Sequence, residues 1–190
     1  LVHGKTAEAK TAEDNSVVIV SSYNPDVKSI NENVAAFYEE CTRRKLPNTV
    51  ALEDIHAQNL PDCFNWKHRM WGVLKKYYEN GKKPAVIVLL GNEANTAFFS
   101  LDRPELKATP VVTGMGSATL IKLPDNDTID LKQWNPKAYD ITKDLKDYNI
   151  VGGRLYRYDI KKNLELIRYF YPKRDTLVFI SDNTLGGLAM

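Results

Sequence analysis

Short apolar runs of strand length alternate along this chain with stretches whose apolar residues recur every three or four positions. That alternation leaves few architectures open. A parallel strand pair needs a long crossover, and a helix between the strands supplies it. The first run, Ser16-Val17-Val18-Ile19-Val20-Ser21-Ser22, is continuous and β-branched, the composition of a strand covered on both faces. Asn24-Pro25 follows as N-cap and first helical residue. The helix runs to about Lys45, with Val27, Ile30, Val34, Phe37, Tyr38 and Cys41 on one face.

A weaker strand covers residues 49–55. A second helix starts near Pro61-Asp62, carries the stripe Trp66, Met70, Val73, Leu74, Tyr77 and Tyr78, and stops at Asn80-Gly81. Pro84 to Leu90 is the clearest strand, and Gly91-Asn92-Glu93 turns into a short helix over 94–100. Thr109 to Thr113 is a fourth strand, with Gly114-Met115-Gly116 as a turn after it. Residues 118–123 are a candidate fifth strand, 124–136 a loop and 139–148 a modest helix. Ile150-Val151-Gly152-Gly153 leads into a helix over 159–171, with Leu164, Ile167 and Phe170 on its apolar face. Thr176 to Ile180 reads as a strand, Ser181-Asp182-Asn183-Thr184 as a cap, and Leu185 onward as a new helix.

The expected fold is therefore a three-layer α/β/α domain with a parallel sheet, of the flavodoxin-like or Rossmann-like kind. In strand order 2-1-3-4, right-handed crossovers set the first two helices on opposite faces. Cys41 and Cys63 then lie across the sheet, beyond disulfide reach, as two free and largely buried thiols. The expected organisation is a disordered leader over 1–15 and a first lobe over 16–150. A crossover helix segment over 151–175 and the start of a second lobe over 176–190 complete it. A single six-stranded domain is the alternative.

Several function classes fall away. Lys plus Arg is 26 against 24 Asp plus Glu, a net charge of +2 with no one-sided basic field for nucleic acid. No apolar run approaches the roughly 18–20 residues of a membrane span. The polar leader lacks the apolar core of a signal peptide and reads as the segment next to a removed one. Gly4-Lys5-Thr6 lacks the upstream glycine of a phosphate loop. Gly114-Met115-Gly116 is half of a dinucleotide fingerprint and lies after the wrong strand. His56 and His68 have no partner at metal-ligand spacing, and Cys63 and His68 fall off a common helical face. No Gly-x-Ser-x-Gly elbow occurs, and Glu39-Glu40 and Glu53-Asp54 read as surface or strand-end carboxylates. No catalytic, metal or cofactor site is expected.

What remains is a binding edge. Open parallel sheets take ligands beyond the carboxyl ends of their strands. Those ends offer Ser22 and Tyr23, then Asn92 and Glu93, then Thr113 and Gly114. The first two sets feed helix N-termini, which attract carboxylate-like groups, and Tyr23 can stack on a flat ligand. Turn and cap residues of these types also occur in every α/β domain, so a purely structural reading stands beside the functional one.

Two stretches carry a resemblance. One is Val17-Ile-Val-Ser-Ser-Tyr-Asn-Pro25 before a long helix. The other is Gly152-Gly153, then Asn163-Leu-Glu-Leu-Ile-Arg-Tyr-Phe-Tyr-Pro172 and Leu177-Val-Phe-Ile-Ser-Asp-Asn-Thr-Leu-Gly-Gly187. Together they resemble the periplasmic-binding-protein-like sensor regions of bacterial two-component hybrid histidine kinases, especially those of Bacteroides-type bacteria. They are also similar to ABC-transporter substrate-binding proteins. The resemblance implies a two-lobed clamp on the periplasmic face of the inner membrane. It would bind a small molecule, an amino acid, a sugar or similar, and relay closure to a cytoplasmic kinase. Ser181 and Asn183 would face the first-lobe residues from the second lobe. The chain departs from that pattern by ending before a second lobe, a membrane segment or a kinase motif. A transporter solute-binding protein is the alternative, and an α/β enzyme such as a nucleotide-dependent transferase a third reading. A lone apolar strand, Leu177 to Ile180, is expected to pack on the first lobe or to pair with another copy in a homodimer.

Overall fold

The computed structural model describes residues 15–24, 28–125, 129–178, 180 and 185. Its elements in chain order are β1 (Ser16–Ser21), α1 (Lys28–Arg43), β2 (Thr49–Asp54), α2 (Cys63–Leu74), β3 (Val86–Leu90), α3 (Asn92–Phe99) and α4 (Pro104–Ala108). Then come β4 (Val111–Ser117), β5 (Thr119–Ile121), β6 (Ala138–Asp140), α5 (Ile141–Asp144), β7 (Ile150–Tyr156) and α6 (Ile160–Phe170). Short 3-10 turns, Leu60–Asp62 and Lys75–Gly81, flank α2.

The strand order is β2-β1-β3-β4-β7, and every neighbouring pair runs parallel. This is the expected three-layer α/β arrangement with its 2-1-3-4 core. Side chains of a strand alternate between faces. β1 sends Val17 and Ile19 to the side covered by Ile30 and Val34 of α1. It sends Val18 and Val20 to the other side, where Trp66, Met70 and Leu74 of α2 meet Ala97, Phe98 and Phe99 of α3. Both faces are thus covered, which is why β1 reads as one unbroken apolar run.

The same layering separates the thiols. Both cysteines are free; Cys63 is buried, but Cys41, one turn beyond Phe37 on α1, is only half-buried. The expectation of two largely buried thiols therefore holds for Cys63 alone. Burial first, and then the neighbouring Asp62 charge, pushes the Cys63 thiol up to about 11. Thiolate is the reactive form, so a thiol reagent should label Cys41 in the native chain and reach Cys63 only in denaturant. Labelling followed by mass spectrometry checks this; equal native rates would contradict the layering.

Four segments differ from the sequence reading. Gly114-Met115-Gly116 is not a turn but lies inside β4. Ile150 to Gly153, read as the approach to a helix, is the fifth sheet strand β7. The segment expected to be that strand instead forms β5, which pairs antiparallel with β6 in a separate two-stranded sheet. The helix expected over 139–148 is reduced to β6 and the single turn α5, which Asp140 caps by accepting from Thr142 N. Beyond it, Leu145 and Tyr148 turn into the core, where the Tyr148 hydroxyl donates to the carbonyls of Phe99 (3.3 Å) and Leu101 (3.0 Å).

The glycine pair hid β7, because glycine weakens a strand interior. Gly153 is there for contact. It pairs with Thr113 across the sheet at φ 149, and a Cβ on it would lie 2.2 Å from the Thr113 carbonyl oxygen.

The last segment also departs from expectation. Among the described residues, Thr176 to Val178 and Ile180 pair with no strand, and Leu177, Val178 and Ile180 are 52%, 78% and 89% exposed, so the first of the two expected packings, that on the first lobe, is not formed. α6 buries no residue, so it does not bring the chain back onto the sheet. Leu185 does return: it is helical, 2% exposed and part of the core on the α2–α3 side. Ser181, Asn183, Pro25 and the Gly4-Lys5-Thr6 motif lie outside the described residues.

Candidate functional site

The parallel register gathers the strand ends into one edge. Ser21 of β1 lies opposite Leu90 of β3, and Leu90 lies opposite Gly114 of β4. Ser22, Gly91 to Glu93 and Gly114 to Gly116 therefore meet there. Gly91 is the pivot: its φ is 101, and a Cβ on it would lie 2.3 Å from Ser22 Oγ. Only glycine fits a left-handed position with a neighbour that close.

Ser22 is buried, and its Oγ accepts from the Ala94 amide at 2.9 Å. It caps α3 from across the sheet. Its own amide donates to Leu90 O (2.9 Å), and its carbonyl accepts from Ala57 N (2.9 Å). Asn92 Oδ1 accepts from the Ser117 amide at 2.6 Å and so ties the start of α3 to the end of β4. Thr113 is buried under the β7 contact, and Gly114 O accepts from Gly91 N at 3.0 Å. Of the expected residues, Ser22, Asn92, Thr113 and Gly114 thus hold the edge together.

Tyr23 and Glu93 are different. Tyr23 is 42% exposed and sits against Glu93, which is only 6% exposed. Partial burial, then a hydrogen bond to the Glu93 carboxylate, then that group's charge raise the Tyr23 phenol well above its ordinary range. Glu93 Oε2 is buried and has no hydrogen-bond partner among the described residues. Two further buried acceptors on α3, Asn95 Oδ1 and Thr96 Oγ1, have none either.

Sequence reasoning missed Asn95 and Thr96. The available signal was a run of polar residues, Asn92-Glu93 and Asn95-Thr96, directly after the most apolar strand. Every residue from Glu93 to Phe99 is buried, so these groups do not face water as they would on a surface helix.

Met115 adds an irregularity at the same edge. It takes φ 55, and the ladder with β7 shifts register between Thr113 and Gly116. A non-glycine residue in the left-handed region persists only where its surroundings hold it there. Asn33 Nδ2 of α1 donates to Met115 Sδ at 4.0 Å. Gly116 lies close to α3, since a Cβ on it would be 2.7 Å from Asn95 Nδ2.

A separate groove of about 510 Å³ runs along β7 past Thr142, Lys146 and Arg157; of the expected site residues it includes only Thr113. Among the described residues, no three His, Cys, Asp or Glu side chains converge as a metal site would require. Among them, too, no helix is long and apolar enough to cross a membrane.

Two phenols at the other end of the sheet, Tyr78 beside Thr109 and Tyr148 against the end of α3, set a pH limit. Burial pushes the Tyr148 and Tyr78 phenols up to about 12, from an ordinary value of 10.0. A value raised on folding means that the folded chain holds the proton longer. The stability this represents is complete below pH 10 and is lost as pH rises toward 12. The urea midpoint should fall across that window, with phenolate absorbance showing Tyr78 and Tyr148 ionising only as the chain unfolds. Ionisation of all 10 tyrosines before unfolding would contradict the burial.

Compared with known proteins, the chain matches no family model, no curated protein and no solved structure.

Proposed function

We propose that this chain is the first lobe of an extracytoplasmic ligand-sensing domain of a two-component histidine kinase, with a small molecule bound at the strand-end edge. One observation carries the reading. α3 starts where open parallel sheets take ligands, and along it Glu93 Oε2, Asn95 Oδ1 and Thr96 Oγ1 are buried without partners among the described residues. Buried polar atoms are ordinarily satisfied, and an orphaned one asks for an explanation. A ligand that brings donors to this edge is such an explanation.

The clamp part of the reading draws on α6. Ile160, Leu164, Ile167 and Phe170 are all exposed, although the helix is amphipathic. An apolar stripe of this kind ordinarily buries against another element, and a second lobe would supply one. In a clamp, the ligand touches both lobes only when they are closed. Its differential affinity for that state shifts the balance and carries the signal.

The test is a thermal-shift screen of amino acids, sugars and nucleosides on the polypeptide that continues through the second lobe. One class at a hundredfold excess over its Kd should stabilise by about 2.7 kcal/mol, and Tyr23→Ala should reduce the shift. No shift with any of the three classes would remove the reading.

A further inference from the structure

We infer that β7 is a docking edge, which takes an extended, acidic segment of a partner protein as a further strand of the sheet. The two edges of the sheet are built differently. β2 and β7 stand at the two ends of the strand order. An edge strand offers a row of backbone donors and acceptors to any strand that comes alongside, unless something blocks it. β2 is blocked. The Tyr38 hydroxyl donates to the Val50 carbonyl at 3.1 Å, and the strand ends in the charged pair Glu53-Asp54. Just beyond it, Arg69 Nη1 donates to the carbonyls of Ile55 (3.2 Å) and His56 (2.7 Å).

β7 carries none of these devices. Among the described residues, no side chain bonds to a backbone group of β7, and Arg154 is its one charged residue. Val151 to Arg154 are exposed in succession. Successive side chains of a strand point to opposite faces, so both faces are open there, whereas β1 is buried at every position. Gly152 adds no side chain, and a Cβ on it would meet nothing within 4 Å.

The groove of about 510 Å³ along β7 gives an incoming strand a surface to lie on. Ile141, Leu145 and Leu155 line it; among the described residues its charged groups are Lys146 and Arg157, and no acidic residue lines it. The nearby carboxylates are already engaged. Asp140 accepts from Arg157 Nη1 at 2.8 Å, Asp144 from the Asp140 amide at 2.7 Å, and Asp147 pairs with Lys107 at 2.9 Å. Lys146 in the groove and Arg154 outside it are exposed and form no ion pair among the described residues. Main-chain bonds along a bare edge supply affinity, and these two cations select acidic side chains over basic ones.

The probe is a blocked, fluorescein-labelled peptide of alternating valine and glutamate, seven residues long to match β7. It is titrated with the chain and read by fluorescence anisotropy. It should bind at least about tenfold more tightly than the same peptide with lysine for glutamate. Replacing its amide N–H groups by ester oxygens keeps every side chain and removes every donor, and should weaken it about tenfold or more. Adsorption to an apolar surface would not respond to that change. Lys146→Glu should weaken the glutamate peptide about tenfold, with circular dichroism confirming the fold and Arg154→Glu as the second variant should the first not fold. No binding of the glutamate peptide, equal binding of its lysine form or equal binding of its ester form would overturn the inference. Light scattering that shows a dimer, dispersed by Val151→Lys, would assign the edge to a second copy instead. Loss of binding in a polypeptide that continues through a second lobe would assign it to that lobe. The strand-end edge lies elsewhere, so failure here would leave the ligand-sensing reading standing.

Discussion

Replacing Gly153 with alanine should destabilise the chain by about 3 kcal/mol or more and detach β7 from the sheet. Two costs add. The added Cβ would lie 2.2 Å from the Thr113 carbonyl oxygen and 2.9 Å from its amide nitrogen, both of them backbone atoms that cannot rotate away. The residue also holds φ 149, which side-chain-bearing residues rarely adopt. The neighbouring Gly152 is the internal control. A Cβ there meets nothing within 4 Å, so Gly152→Ala should change stability by less than about 1 kcal/mol. Urea unfolding of the pair reads the difference. Equal midpoints would mean that β7 does not lie against β4 in the register described.

Phe98→Ala should cost about 3–5 kcal/mol. Phe98 is fully buried, meets Phe99 edge-on at 5.3 Å and 90°, and lies 6.0 Å from Tyr148. The gap cannot close easily, because Tyr148 is anchored to the carbonyls of Phe99 and Leu101. α3 also carries Asn92, whose side chain holds the end of β4, so loosening its buried face should loosen the strand-end edge along with stability. Tyr169→Ala, on the exposed α6, should fall within about 0.5 kcal/mol of the unmodified chain. Similar losses for both would show that α3 is not part of the core.

The parts of the fold legible in the sequence are those set by local pattern. The unbroken apolar run at β1 implied a sheet covered on both faces, and right-handed crossovers then ordered the first four strands. β7 was illegible because the feature that lets it approach β4, the hydrogen-only side chain of Gly153, is the same one that lowers strand propensity. Segment 114–116 was misread for a related reason: two glycines around Met115 look like a turn, while the close approach of Gly116 to Asn95 is a long-range contact. At the site, the residue types at the strand ends were visible, but their duties were not. Ser22 caps a helix 72 positions away, which no local pattern can disclose. Nor does local spacing reveal that Glu93, Asn95 and Thr96 are enclosed on all sides of α3, because a polar run after a strand reads as a solvated one.

Ser22, Asn92 and Gly91 each bond across to another element, so β1, β4 and the start of α3 are stitched into a single stiff rim. A rim of that kind loses its freedom when the chain folds, leaving little more to lose when a guest arrives. On the proposed reading, a large movement that reports occupancy comes from outside this rim, which is already fixed before any ligand binds.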